Sequence, residues 1–265
     1  MNTKAILLFL LSLTISLTLF GQDYYILQVK GIVKKNKTGE LIKTKDVVKA
    51  DDQLIFSSSS DAVAVVSPKS GRFILKPGKQ IKSNELISYV KDALSPASTR
   101  LSTRSGGLNN ILDLKTLFAQ PILLLPELHY KVNYKSFPIA EKTFFYIQYL
   151  YKGELINKQL QINTDSLLII NRVDLFKIDG KPVDESEIKN FVLHYYSEKG
   201  PILISPISFI LADLTAVKNE VDVLVETLGT SEKDSSKTQN EILNYLSEQY
   251  GKVDGPNLQH WLEQK

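Results

Sequence analysis

Short extended runs broken by turn residues constrain this chain more than any other feature of it. The first such series occupies residues 24–75. Residues 24–30 (Tyr-Tyr-Ile-Leu-Gln-Val-Lys) alternate weakly and are rich in strand formers; Gly31 interrupts them and Ile32-Val33 resumes. Asn36-Lys37-Thr38-Gly39 is a turn signal, and residues 40–43 follow it as a second short extended run. Leu54-Ile55-Phe56 is closed by four serines, residues 62–66 have the continuous apolar character of a buried strand, and Ser67-Pro68-Lys69-Ser70-Gly71 turns the chain back into residues 72–75. Strands this short with turns this frequent cannot build helices; they predict a small β-sandwich or barrel.

A second series begins beyond a polar stretch. Residues 84–94 place Leu86, Ile87, Val90 and Leu94 on one helical face. Residues 95–110 are rich in Ser, Thr, Gly, Pro and Asn and read as a linker, so the domain boundary falls there. Residues 122–125 are apolar between two prolines and fit a buried strand. Residues 143–151, the turn Lys152-Gly153-Glu154 and residues 155–162 form a hairpin pattern. Asp179-Gly180 is a tight turn, and residues 191–196 and 202–204 make another antiparallel pair. The tail then changes period. Ile207, Ile210, Leu211, Leu214, Val217, Val221, Leu224, Val225 and Leu228 share one face at helical spacing up to Gly229. Two more helices follow, one rich in Ile242, Leu243 and Leu246, one opened by Pro256. The expected fold class is therefore mainly β with C-terminal helices: residues 23–94 as one β unit with a terminal helix, 111–206 as a second β-rich unit, and 207–265 as a helical region packed on the second unit or on itself.

The N-terminus addresses the chain out of the cytoplasm. Lys4 precedes the uncharged apolar stretch of residues 5–20, and Gly21-Gln22 offers an exit before Asp23. That is the pattern of a cleavable signal over residues 1–22; an uncleaved N-terminal anchor is the alternative, because Leu19 suits the −3 site poorly. Its 16 residues are short of the ~20 a membrane span needs. With 22 of 265 residues removed, 243 remain, without one cysteine. An exported chain of this kind is stabilised by burial alone and has no thiol nucleophile, thiolate ligand or lipidated cysteine. The expected location is the periplasm, the cell envelope or the extracellular medium, with no transmembrane span once the signal is gone.

The order Val29-Lys30-Gly31-Ile32-Val33, Asp46-Val47-Val48, Asp51-Asp52-Gln53-Leu54-Ile55-Phe56, residues 62–67 and Gly71-Arg72-Phe73-Ile74-Leu75 resembles the FecR-type β domain. The resemblance covers residues 24–77. The whole chain also looks like a family of exported proteins of Gram-negative bacteria, through Ser102-Thr103-Arg104-Ser105-Gly106, Leu112-Asp113-Leu114-Lys115 and the aromatic run 144–149. A FecR-type domain implies a periplasmic signalling or transport regulator. This chain departs from that pattern, because its apolar export segment stands at residue 1, where the regulators carry a cytoplasmic segment.

Charge is unevenly distributed. Residues 23–82 hold 12 Lys and Arg against 6 acids, whereas residues 211–265 hold 5 against 10. The basic end, with Lys34, Lys35 and Lys37 as its densest patch, fits an anionic envelope polymer or another envelope protein; solvated faces are the plainer account. A net charge of +3 argues against a nucleic-acid protein.

Little in the sequence points to catalysis. The three histidines, His129, His194 and His260, show no metal-ligand spacing, and no Gly-x-Ser-x-Gly elbow accompanies them. Asp184, Glu185 and Glu187 suit a divalent-cation rim by chemistry but match no calcium loop, so a charged turn is the expectation. Ser102, Thr103, Arg104, Ser105 and Gly106 form a loop able to cradle an anion, without the strand and helix frame of a nucleotide site. The aromatic run 144–151 reads as a central strand buried on both faces, with sugar or partner stacking as the functional alternative. The sequence thus predicts no catalytic residues, no metal and no cofactor, and an exported binding or scaffolding protein. A FecR-like regulator and a hydrolase of envelope polymers stand as alternatives.

Overall fold

The computed structural model describes residues 23–77, 107–229 and 235–264. The export segment 1–22, the helix expected at 84–94, most of the 95–110 linker and the loop Ser102, Thr103, Arg104, Ser105 and Gly106 lie outside the described residues. Over the described residues the chain is mainly β, with antiparallel sheets, no closed barrel and helices at the C-terminal end. Contacts divide it into two units, the first holding residues 23–77 and 218–238 of those described, the second 107–217 and 239–264.

In the first unit, β1 (Asp23–Lys30), β2 (Val33–Lys35), β3 (Val47–Lys49), β4 (Leu54–Phe56), β5 (Ala62–Ser67) and β6 (Gly71–Leu75) follow the turn signals closely. The sheet order is β3-β1-β5-β6, and β2 and β4 form a separate two-stranded ribbon. Tyr24, Ile26, Val48, Val63, Val65 and Leu75 from the sheet pack with Val33 and Leu54 from the ribbon in one core. Two sheets facing across one apolar layer make a sandwich rather than a barrel. Residues 40–43 contribute no full strand; Leu41 makes a single bridge to Lys34.

Gly31 sits between β1 and β2 at φ +84°, and a Cβ there would come within 2.0 Å of Asp61 Oδ1. The buried Asp61 carboxylate accepts a hydrogen bond from the Ser58 N–H at 2.8 Å. A side chain at position 31 would therefore meet both backbone strain and a clash.

The second unit begins with α1 (Ile111–Leu117), capped by Asn110, whose side chain accepts from Asp113 N. The sequence pattern gives no warning of this helix. Next come β7 (Ile122–Leu123), β8 (Glu127–Lys131), β9 (Phe144–Tyr151), β10 (Glu154–Gln159), β11 (Gln161–Ile162) and β12 (Leu167–Asn171). After α2 (Arg172–Leu175) follow β13 (Lys177–Ile178), β14 (Lys181–Pro182), β15 (Ile188–Ser197), β16 (Gly200–Ile207) and β17 (Phe209–Ile210). The chain closes with α3 (Leu214–Leu228), α4 (Ser235–Tyr250) and α5 (Gly255–Glu263).

Two sheets dominate this unit, β10-β9-β15-β16 and β11-β12-β8. The β9–β10 hairpin turns at Lys152 (φ 50°) and Gly153 (φ 88°), the doubly positive pair a type I′ turn requires. Its return strand is interrupted at Leu160, after which β11 joins the other sheet. Residues 122–125 are all fully buried, as their apolar run predicts, and β7 pairs in parallel with β17.

That pairing corrects the helical reading of the tail. Ile207 and Ile210 fit a helical stripe by spacing, yet they lie in β16 and β17. The helix starts only at Leu214, where the Asp213 carboxylate accepts from the Thr215 and Ala216 N–H groups. From Lys218 onward α3 belongs to the first unit rather than to the second. Gln28 of β1 donates to the buried Glu220 at 3.2 Å, and Lys45 pairs with Asp222 at 3.3 Å. Gln28 pairs across the sheet with Ala64, so the helix covers the face opposite the sandwich core. This is why β5 is buried on both sides.

Candidate metal centre

The outer face of β8 is built by alternation. Leu128 and Tyr130 point into the core, while Glu127 and His129, two residues apart, share the other side. Because the sheet order ends at β8, one edge of this strand pairs with no other strand among the described residues; only its far end is met, by a bridge between Leu108 and Val132. Asn257 of α5 takes that place. Its Oδ1 accepts from the His129 N–H at 2.6 Å and its Nδ2 donates to the His129 carbonyl at 3.3 Å. Asp254 caps α5, accepting from the Asn257 N–H at 3.0 Å and from its carboxamide at 2.8 Å. The capping residue thus orients the side chain that ties the helix to the strand.

One turn further along α5 stands His260. Its ring lies 4.9 Å from the His129 ring, centroid to centroid. The donor atoms of Glu127, His129 and His260 all fall within 4.8 Å of one another. Glu127 Oε2 is 3.0 Å from His129 Nε2, and Glu127 Oε1 accepts from Asn171 Nδ2 at 2.7 Å. Gln264 meets His260 Nε2 at 2.9 Å. Sequence spacing concealed this group: the Glu-x-His pair on an alternating strand was the available signal, and its third member is 131 residues away from His129.

His194 is placed quite differently. It lies on β15 with its ring stacked on Tyr146 at 4.8 Å and 11°. Both ring nitrogens are buried without a hydrogen-bond partner among the described residues, and burial pushes its pKa down. It forms part of a strip in which Phe144 stacks on Tyr196 at 5.4 Å. β9 is thus a central strand, but only its Phe145, Ile147 and Tyr149 face is fully buried; the Phe144, Tyr146 and Gln148 face is half-buried. The expectation of burial on both faces holds for one of them. Tyr149 donates to the Leu175 carbonyl at 2.8 Å, and desolvation with Tyr151 nearby pushes its pKa up to about 12.

The acidic cluster of the sequence is dispersed among other partners. Asp184 caps the 3-10 turn Glu185–Glu187, and its hydrogen bonds from Ser186 hold its carboxyl below the usual carboxylate range. Glu185 receives both arms of Arg172, at 3.0 and 2.5 Å. Glu187 pairs with Lys152 at 3.2 Å and pushes the Lys152 pKa up. This is a charged turn, as the pattern predicts.

The lysine patch of the first unit is only partly a cluster. Lys34 points outward from the ribbon, opposite Ile55 and bridged to Leu41. Lys35 turns the other way and donates to the Val47 carbonyl at 3.1 Å. Lys37 is exposed, 4.0 Å from Asp51. Around Lys34 the structure adds aliphatic groups the sequence did not single out: Ile32, Leu41 and Ile55 are 53%, 52% and 46% exposed.

No family model matches the chain, and no curated protein matches it. One solved structure, "Drosophila OTK, extracellular domains 3-5", aligns at 11% identity over 72% of this chain with a TM-score of 0.17. The alignment spans 54% of that structure's length. A similarity this slight carries no argument about fold or function.

Proposed function

We propose that the chain is an exported, non-catalytic binding or scaffolding protein of a bacterial cell envelope, and that its first unit docks on an anionic envelope surface. The observation that supports this reading is the outer side of the β2–β4 ribbon. There Lys34 stands among the exposed aliphatic side chains of Ile32, Leu41 and Ile55, with Lys37 on the adjoining turn. Lysine beside exposed aliphatic groups suits an interface that is charged at its surface and apolar beneath, where each basic side chain adds about 1 kcal/mol and the aliphatic groups add burial. The export pattern of residues 1–22 supplies the compartment. Among the described residues no helix is long and apolar enough to cross a membrane, so in this reading the ribbon supplies the attachment.

The test is sedimentation of the full chain with vesicles of phosphatidylglycerol or of phosphatidylcholine. Binding to the anionic vesicles alone is expected, weakening about tenfold or more in Lys34→Glu and also weakening in Ile55→Ser. Equal binding to both vesicle types, or none to either, sinks the membrane reading; retention of the chain on an immobilised anionic polymer in the second case would leave a binding protein of another surface.

A further inference from the structure

We propose that Glu127, His129 and His260 bind a zinc-class divalent ion that fastens α5 to β8. Two neutral imidazoles and one carboxylate are the donor set of borderline metals, whereas calcium and magnesium take oxygen ligands almost throughout. Ligand atoms each ~2.0–2.1 Å from one tetrahedral ion stand roughly 3.3 Å apart. Glu127 and His129 are already at 3.0 Å, and no pair in the group exceeds 4.8 Å. The remaining closure falls to His260, which is exposed on its helix; binding through its Nε2 would replace the contact with Gln264.

The surroundings are arranged as they are around bound metals. Asn171 holds Glu127 Oε1, which leaves Oε2 directed at His129 as a single ligand atom. The backbone of His129 is fixed at both its N–H and its carbonyl by Asn257, a side chain that is 3% exposed. Because Asn257 and His260 share one face of α5, the contact that anchors the helix also sets the approach of the third ligand. Three protein ligands leave one coordination position for water or for a group of a partner. An ion here would neutralise the Glu127 carboxylate, join residues far apart in the chain and stabilise the C-terminal helix without any disulfide.

The test uses the untagged full chain and the metal alone. Titration with Zn2+ against a chromophoric chelator should give one ion per chain, and Co2+ should give the intense visible absorption of a tetrahedral site. His260→Ala is the informative variant, because an exposed side chain can be removed with the fold intact. It should lower zinc affinity at least tenfold and abolish the rise in Tm that zinc gives the wild type. Glu127→Gln should weaken binding in the same direction, and Asn171→Ala more mildly. Zinc binding that is unchanged in His260→Ala overturns the proposal, as does failure to bind zinc at micromolar concentration or equal binding of Mg2+ and Zn2+.

Discussion

The outer faces of β8 and β15 set the same residue type in opposite chemistry. Both strands are antiparallel, both belong to the second unit, and each carries a histidine at a half-exposed alternating position. On β8 every polar neighbour is engaged: His129 with Glu127, Glu127 with Asn171, and the His129 backbone with Asn257. On β15, His194 is stacked on the Tyr146 ring and neither nitrogen finds a partner among the described residues. The difference lies in strand position. β8 is an edge, and an edge leaves backbone groups that must be answered by polar side chains. β15 lies between β9 and β16, its backbone is satisfied by pairing, and its side chains are left to pack.

The sharpest way to break this contrast is to take away the edge's partner. Asn257→Leu keeps the size of a buried side chain but leaves the His129 N–H and carbonyl without their protein partner. Two abandoned backbone groups at about 1–3 kcal/mol each, partly relieved by water, predict a loss of about 2–4 kcal/mol. Urea unfolding of the full chain measures it. A loss below about 0.5 kcal/mol would mean that α5 does not hold the edge.

What could be read beforehand follows the range of the interactions. The β9–β10 hairpin and the Asp179-Gly180 turn were legible, because a turn is encoded by the residues in it, here Lys152-Gly153 and the positive φ values of Asp179 (50°) and Gly180 (77°). The start of α3 was misread because Ile207 and Ile210 also satisfy helical spacing. What overrides the spacing is the pairing of β17 with β7, 87 residues upstream when Phe209 meets Ile122. α3 itself was legible as a helix but not as a lid on the first sheet, since Gln28 and Glu220 are 192 residues apart. The same limit hid the candidate metal group: two of its three members, Glu127 and His129, are local, and His260 arrives only through the docking of a helix. The lysine patch was legible only in part, since alternation sends Lys34 and Lys35 to opposite sides of one strand.

The contrast also predicts how each histidine responds to acid. His194 has its pKa lowered from the ordinary value of 6.5 by burial. Above that value both the folded and unfolded chains are neutral at this residue, and it adds no pH dependence. As pH falls through 6.5 the unfolded chain takes up a proton that the folded chain resists, so stability declines on the acid side. His194→Phe keeps a ring against Tyr146 and removes two buried nitrogens without partners. It should stabilise the protein by about 1–2 kcal/mol at pH 7.5, and by more at pH 5. Denaturant midpoints at the two pH values check this; an advantage that shrinks on acidification would mean that His194 is stabilised, not penalised, as a cation.

The smallest effect belongs to His260. Its ring is exposed and its contacts, to Gln264 and the edge of His129, are at the surface. Without metal, His260→Ala should change stability by less than about 0.5 kcal/mol, well below the effect of either substitution above. The smallness is itself informative. If the residue contributes almost nothing to the bare fold but most of the stabilisation measured with zinc, then the β8 face is a site rather than a strand edge that happens to be well bonded. A loss of 1 kcal/mol or more in chelator-treated protein would place His260 with Asn257, as part of the clasp that holds α5, and the two histidine faces would differ in packing alone.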